Sequence, residues 1–341
     1  MNPLRFIVLG VGRMGTNHVR VLSEMPGVTL AGLVDSDAAL LERTRQRFGV
    51  PKAWPTVEEA LARESFDAAV IVVPTVGHLA AAERCLKKGL SVFIEKPMAS
   101  TVEECDRILA MARGASSVLM VGHIERFNPV VRRLQEFLEE RFLGDIYCVE
   151  TARSGPFPKR LYGSKDGVVI DLAVHDLDLV SFLFGELRQL YAHCITTQDK
   201  HQDIHARVMF KTGRGIVGSS QFSWISPRKE RSITIYGDKG ILFGDLVDQE
   251  VWYFENGDVE IDYSDNYYQN VLLGRVSEGK VTKFPIKKEE PLRSEQAFFC
   301  SLIQDRTPHD PVYGRNAVEY SLAVLQSARE DRIINFEEGK K

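Results

Sequence analysis

Asp171, His175 and Asp178 stand in a run that is otherwise apolar, from Val168, Val169 and Ile170 through Leu177, Leu179 and Val180 to Leu183 and Phe184. Read as one helix over 167–184, these three polar residues fall at i, i+4 and i+7 and share a face. A mostly buried helix must supply such a stripe with partners or water. An Asp one turn from a His orients the imidazole and stabilises its charged form, which is what a general base needs to take a proton from an alcohol. A buried His–Asp pair that only fixes helix packing has the same spacing. Lys96 offers the complementary charge. It lies in Glu95-Lys96-Pro97, at the end of the apolar run Leu90 to Glu95. The carboxyl end of a parallel strand is the edge where open α/β sheets bind ligands. An ammonium there stabilises a hydroxyl oxygen that gains negative charge as its proton leaves. A solvated lysine at a strand end is the plain alternative.

Gly10-Val11-Gly12-Arg13-Met14-Gly15 follows an apolar strand, Leu4 to Leu9, and opens a helix from Arg13 to Met25. Gly10 permits a tight turn, Gly12 leaves room for a pyrophosphate, and Gly15 lets helix and strand approach closely. The helix N-terminus presents free N–H groups and its positive dipole end to phosphate. Asp35 ends the next strand, Thr29 to Val34, about twenty residues on, and its carboxylate suits the ribose hydroxyls of NAD. It would repel the 2′-phosphate of NADP. Ser36 and Asp37 follow it and bring no Arg, so NAD is the expected cofactor.

The elements that must hold these groups alternate over the first third of the chain. After Asp35 come a helix from about Asp37 to Phe48, a buried strand Ala68 to Val73, a helix His78 to Lys88 and the strand ending at Glu95. Ser100 to Glu104 resembles a capping box opening a helix to about Arg113, and Ser117 to Val121 closes the series. Strands alternating with helices imply a doubly wound parallel sheet, an α/β Rossmann domain over residues 1–122. Beyond it the pattern is α+β: helices at 129–141 and 167–184, then strands at 187–195, 204–211, 215–224, 231–236 and 251–254, then helices at 292–304 and 316–329. We expect residues 123–341 to form a mainly antiparallel sheet with helices on one face.

Taken together, Gly10 to Gly15 with His18, Pro74-Thr75 with His78, Glu95-Lys96-Pro97, and Asp171 to Asp178 resemble the glucose–fructose oxidoreductase / inositol dehydrogenase (Gfo/Idh/MocA) family in content and order. The resemblance runs over nearly the whole chain and implies a large open-faced sheet in the second domain. It implies a catalytic trio of Lys96, Asp171 and His175, and cofactor contacts at Pro74, Thr75, His78, Glu95, Lys96 and Arg126. His175 would take the hydroxyl proton, Asp171 would tune it, and Lys96 would hold the oxygen, with no metal. Within the family, Val121 to Val131 and the layout look most like UDP-N-acetylglucosamine 3-dehydrogenases, whose keto product feeds a pyridoxal-phosphate aminotransferase. Cations for a diphosphate are then expected among the apparent loop residues Arg153, Lys159, Arg160, Arg228, Lys229 and Arg231. A polyol such as myo-inositol is the second candidate substrate, and a non-catalytic NAD-binding relative the third reading.

Composition narrows the field. Lys and Arg number 43 against 47 Asp and Glu, a net charge of −4 with no block of like charge. Such a chain has no electrostatic pull toward nucleic acid. Five cysteines without a CxxC pair argue against zinc and a disulfide framework and fit a reducing, cytoplasmic compartment. No apolar run approaches a membrane span, and the N-terminus enters a strand with no cleavage pattern. His201 and His205 have an HxxxH spacing, but on a turn running into a strand rather than a helix that would hold a metal. Alternating apolar residues in strands such as 215–224 and 231–236 lead us to expect a homodimer or homotetramer built through an uncovered sheet face.

Overall fold

The computed structural model describes residues 2–114, 117–158, 166–197, 202–257 and 279–336. Its packing divides the chain into two units: residues 1–127 with 290–322, and residues 128–289 with 323–341. The sequence pattern puts a boundary at 122; the packing returns a distant C-terminal segment to the first unit.

In the first unit, strands β1 (Leu4–Leu9), β2 (Val28–Val34), β3 (Ala53–Trp54), β4 (Ala68–Ile71), β5 (Ser91–Glu95) and β6 (Leu119–Gly122) form one sheet in the order β3-β2-β1-β4-β5-β6. Every pairing is parallel. Helices α1 (Arg13–Glu24), α2 (Ala38–Phe48), α3 (Val57–Arg63), α4 (His78–Lys87) and α5 (Val102–Arg113) connect them. The strand order reverses between β1 and β4, the crevice where such sheets bind dinucleotides. The short β3 and α3 carry no periodicity long enough to read from sequence. Thr101 caps α5 by accepting from Glu104 N–H, while the Glu104 carboxylate accepts from Ser100 N–H.

Period-2 alternation gives this sheet two cores. Ile7, Leu9, Ile71, Val92 and Ile94 enter one, with Cys85, Ile108 and Val318. Phe6, Val8, Val70 and Phe93 enter the other, with Val19, Leu22, Leu292, Phe299 and Leu302. The last three belong to helix α8 (Pro291–Asp305 in the chain). Each fully buried Phe or Leu of this kind stabilises by about 1.5–3 kcal/mol.

The second unit begins with α6 (Pro129–Glu139) and β7 (Ile146–Pro156). A π-helical turn (Val169–Ala173) then leads into α7 (Val174–Phe184). Next come β8 (Leu187–Thr196), β9 (Asp203–Thr212), β10 (Val217–Ser223), β11 (Ile225–Gly237), β12 (Gly240–Asp245), β13 (Glu250–Glu255) and β14 (Val281–Phe284). Helix α9 (Val312–Glu330) starts in the first unit, and its residues from Ala323 on belong with β15 (Ile334–Asn335) to the second. Among the described residues the sheet runs β14-β13-β12-β11-β7-β10-β9-β8-β15. Only β7 and β10 pair in parallel; the rest are antiparallel.

Alternation assigns this sheet a buried and an open face. Val149, Leu190, Val208, Phe222, Ile233 and Ile235 are buried, while Ile195, Met209 and Val217 on the other face are exposed. Ile233 and Ile235 of β11 thus turn to the covered side. The open face draws its apolar character from β8, β9 and β10 instead. A depression of 620 Å³ lies on it, lined by Cys148, Glu150, Tyr191, Met209, Lys211 and Val217 among others.

Candidate active site

The glycine turn follows β1 because Leu9 ends the buried strand and Gly10 bends the chain at φ +91°. A Cβ at Gly10 would stand 2.8 Å from the Val72 carbonyl, and one at Gly15 would stand 1.9 Å from the Gly10 oxygen. Both glycines are required by the fold itself. A Cβ at Gly12 would meet nothing within 4 Å. The protein has no internal reason to omit a side chain there, so the space suits a group from outside. Gly12 is the N-cap of α1 and makes no side-chain cap bond. The first turn of that twelve-residue helix therefore offers N–H groups and a positive dipole end where a pyrophosphate would sit.

Asp35 is held beside this turn. Its Oδ2 accepts from Val11 N–H at 2.8 Å and its Oδ1 from Asp37 N–H at 2.9 Å. Each carboxylate oxygen keeps a further lone pair, which ribose hydroxyls would use. Arg13 is exposed at the start of α1, and Met14 is half-buried one residue on. These residues fit a dinucleotide.

Pro74 and Thr75 lead into a 3₁₀ turn, Thr75–Gly77, that precedes His78. His78 differs from the contact expected of it. It is 1% exposed, and its ring spans two loops. Nδ1 lies 3.0 Å from the Pro97 carbonyl, and Nε2 lies 2.9 Å from the Val73 carbonyl. Burial is the main influence and pushes its pKa down. His78 thus ties the loop after β4 to the turn that carries Lys96, and its ring is not presented to a ligand. The Lys96–Pro97 bond in that turn is cis.

Glu95 also departs from the expected contact. Alternation along β5 puts it on the Phe93 face, and it is buried. There its Oε1 bonds His18 Nε2 at 2.8 Å. His18, in turn, packs edge-on against Phe93. Sequence reading gives His18 no role of its own, although it falls on the buried face of α1 with Gly15, Val19 and Leu22. Arg126 lies in a 3₁₀ turn (Ile124–Phe127) and stacks its guanidinium 3.9 Å over the Tyr313 ring.

The second unit carries the Asp–His stripe. Asp171 belongs to the π turn, His175 and Asp178 to α7, so the expected single α-helix is two segments of different pitch. Such π turns recur at functional sites. Asp171 and His175 are half-buried, and Asp178 is buried. The segment is anchored from below by two residues absent from the sequence reading's site. Asp203, at the start of β9, accepts from Val169 N–H at 2.7 Å, and burial pushes its carboxyl up. Asp176 pairs with Arg153.

Arg153 corrects an expectation. It is no loop cation but part of β7, 1% exposed. Its Nη2 lies 2.6 Å and its Nε 2.7 Å from Asp176 Oδ1. Its charge is committed to a buried carboxylate and is not available to a diphosphate. Arg228 and Lys229 are exposed on β11 and Arg231 is half-buried there, on a strand rather than a loop. Lys159, Arg160 and His201 lie outside the described residues. His205 is on β9, and among the described residues no group of three or more potential metal ligands converges. No helix among them is long and apolar enough to cross a membrane.

Comparison with known proteins agrees with this layout. Residues 4–123 match the family described as an oxidoreductase family with an NAD-binding Rossmann fold, and residues 131–243 match the Gfo/Idh/MocA C-terminal domain. A myo-inositol 2-dehydrogenase of Thermotoga maritima is 26% identical over 72% of this chain and 76% of its own length. A UDP-N-acetylglucosamine 3-dehydrogenase of Acidithiobacillus ferrooxidans is 34% identical over 54% of this chain and 56% of its own. The solved structure of a UDP-N-acetylglucosamine 3-dehydrogenase from that organism superposes with a TM-score of 0.82 at 25% identity, covering 97% of this chain and 99% of that one. With a doubly wound NAD-binding sheet, an open-faced mainly antiparallel sheet and a match to both family domains, the chain belongs to the Gfo/Idh/MocA family of NAD-dependent oxidoreductases.

Proposed function

We propose that this dehydrogenase oxidises the 3-hydroxyl of UDP-N-acetylglucosamine to the 3-keto sugar, which an aminotransferase then consumes. The observation that carries the reading is the retention of Lys96 after β5 together with Asp171 and His175 at the π/α junction, in a chain whose 34%-identical relative is named for that reaction. NAD, when bound, supplies the hydride acceptor. His175 takes the proton of the hydroxyl, and Asp171 supports the imidazole as it gains charge. Lys96 stabilises the oxygen until the carbonyl forms. The products are ketone, NADH and one proton.

A remote diphosphate serves to orient the reacting carbon. Free N-acetylglucosamine should therefore lose most of kcat/KM. With Arg153 paired to Asp176, that grip falls to cations such as the exposed Arg228 of β11. NADH formation with product trapping, measured side by side on UDP-N-acetylglucosamine and myo-inositol, tests the assignment. Replacing NAD by NADP in that assay should give little turnover, because Asp35 faces the 2′ position. Robust NADH from inositol and none from the UDP-sugar would move the assignment to a polyol dehydrogenase, a reading that the Thermotoga relative also supports. A third reading, a non-catalytic NAD binder, is disfavoured by the retained trio.

We further propose a homo-oligomer in the cytoplasm. Ile195 at 54%, Met209 at 67% and Val217 at 50% exposure share the open sheet face, an apolar surface of the kind that marks interfaces. The five cysteines are all free thiols, suited to a reducing compartment. Light scattering at micromolar concentration should give at least a dimer; a stable monomer would refute it.

A further inference from the structure

Glu95 and Lys96 are consecutive, and β5 ends between them, so the core takes the carboxylate while the ammonium follows in the Pro97 turn. The surroundings of that carboxylate are specific. His18 from α1 is fully buried, and Gln296 from α8 lies beyond it, also fully buried. Gln296 Nε2 donates to His18 Nδ1 at 3.1 Å. An amide nitrogen only donates, so Nδ1 is the acceptor and the ring proton sits on Nε2, where it is given to Glu95 Oε1. The other oxygen, Oε2, accepts the backbone N–H of Lys96 at 3.1 Å. The chain of hydrogen bonds from Gln296 through His18 and Glu95 thus ends on the backbone of Lys96.

We infer that His18 is a positioning residue of the reaction: it donates to and orients the Glu95 carboxylate, and that carboxylate fixes the backbone of Lys96. The inference rests on the proposed role of Lys96. Burial alone would raise the Glu95 carboxyl; the His18 hydrogen bond and the nearby Lys96 charge outweigh it and hold the group below the usual carboxylate range. The other titratable groups around Glu95 are His78 of α4, whose imidazole feels the Glu95 charge, and His123, one residue beyond the Gly122 that pairs with Glu95. His78 is engaged with backbone carbonyls. The imidazole that donates to Glu95 is that of His18.

The test is the pH dependence of kcat/KM for the full-length enzyme, with UDP-N-acetylglucosamine and myo-inositol assayed in parallel, for wild type, His18→Leu, His18→Gln and Lys96→Ala. Leu removes the donor and leaves Glu95 to burial, so its protonation moves up. The acidic limb should shift to higher pH by about one unit or more, while NAD affinity stays near wild type. Gln carries an N–H donor at the position of His Nε2 and should restore the limb. A substrate-free readout accompanies this. Glu95 in wild type adds stability above its unfolded pKa, whereas in His18→Leu its ionisation costs stability, so the Tm deficit of that variant should widen as pH rises from about 4.5 to 7. A His18 that merely fills the core would lower the rate uniformly. An unshifted limb in His18→Leu beside an inactive Lys96→Ala overturns the inference and spares the role of Lys96. A fully active Lys96→Ala overturns both. Where His18→Leu does not fold, Gln296→Leu carries the test. It frees the ring to place its proton on Nδ1, so a limb shifted in the same direction supports the inference and an unchanged limb overturns it.

Discussion

His175→Ala is expected to lower kcat by about 10²–10⁴-fold at neutral pH, with NAD affinity almost unchanged. The imidazole is the group assigned to receive the hydroxyl proton, and water replaces a positioned base poorly. Lys96→Ala should lose a comparable factor for a different reason: the oxygen would develop charge without its ammonium. If both side chains act on one hydroxyl, the losses will not add. The double variant should be little slower than the worse single one, as happens when residues work as a unit. Single-turnover NADH formation, with NAD affinity measured separately by titration, checks all three. Near wild-type turnover by His175→Ala would show that the base is elsewhere.

The second large effect concerns stability. Arg153→Met leaves Asp176 charged, 2% exposed and without its guanidinium. Breaking a buried pair from one side typically costs about 3–5 kcal/mol, because an uncompensated charge stays behind. At about 2–4 °C per kcal/mol for a unit of this size, Tm should fall by something on the order of 10 °C. Asp176→Leu alone should do similar harm by stranding the arginine. The double variant Arg153→Met/Asp176→Leu should recover much of the loss, since neither charge is then left alone. Thermal unfolding of the four proteins decides it. A single variant as stable as wild type would mean that the pair is not what anchors α7 to β7.

The same pair shows why one central element escaped the sequence reading. Ile146 to Pro156 contains Cys, Glu, Thr, Arg and Ser, a string that looks like a loop. It is a strand between β10 and β11 because its inward polar groups find partners inside: Arg153 on Asp176, and Thr151 Oγ1 on Ser220 Oγ at 2.7 Å. Burial of polar residues through partners distant in sequence leaves no periodic trace. The Rossmann strands were legible for the opposite reason: both faces are covered, and Val, Ile and Leu fill them. The Asp–His stripe was legible because three acids and bases interrupt an apolar helix, but the π turn beneath Asp171 was not, since residue spacing alone does not distinguish i→i+4 from i→i+5 hydrogen bonding. Glu95 and His78 read as ligand contacts from their place in motifs; only the alternation of β5 and the carbonyls around His78 show that both turn inward. The glycine motif reported its own logic most fully. Gly10 and Gly15 serve the turn, and Gly12 serves whatever occupies the space before α1.

Helix α8 has a bearing on how the chain is made. It comes from residues 291–305, yet it supplies Leu292, Phe299 and Leu302 to the core that holds Phe6 and Phe93, and Gln296 to the ring of His18. A nascent chain that has reached residue 127 has all six strands of its first sheet but only part of the cover for one apolar side. At elongation rates of about 5–20 residues per second, that side waits roughly 10–40 s for α8 to emerge from the ribosome. During this interval Phe93 lacks its edge-on partner Phe299. The dinucleotide module is therefore complete only once residue 305 has been made, although its signature lies in the first fifteen residues.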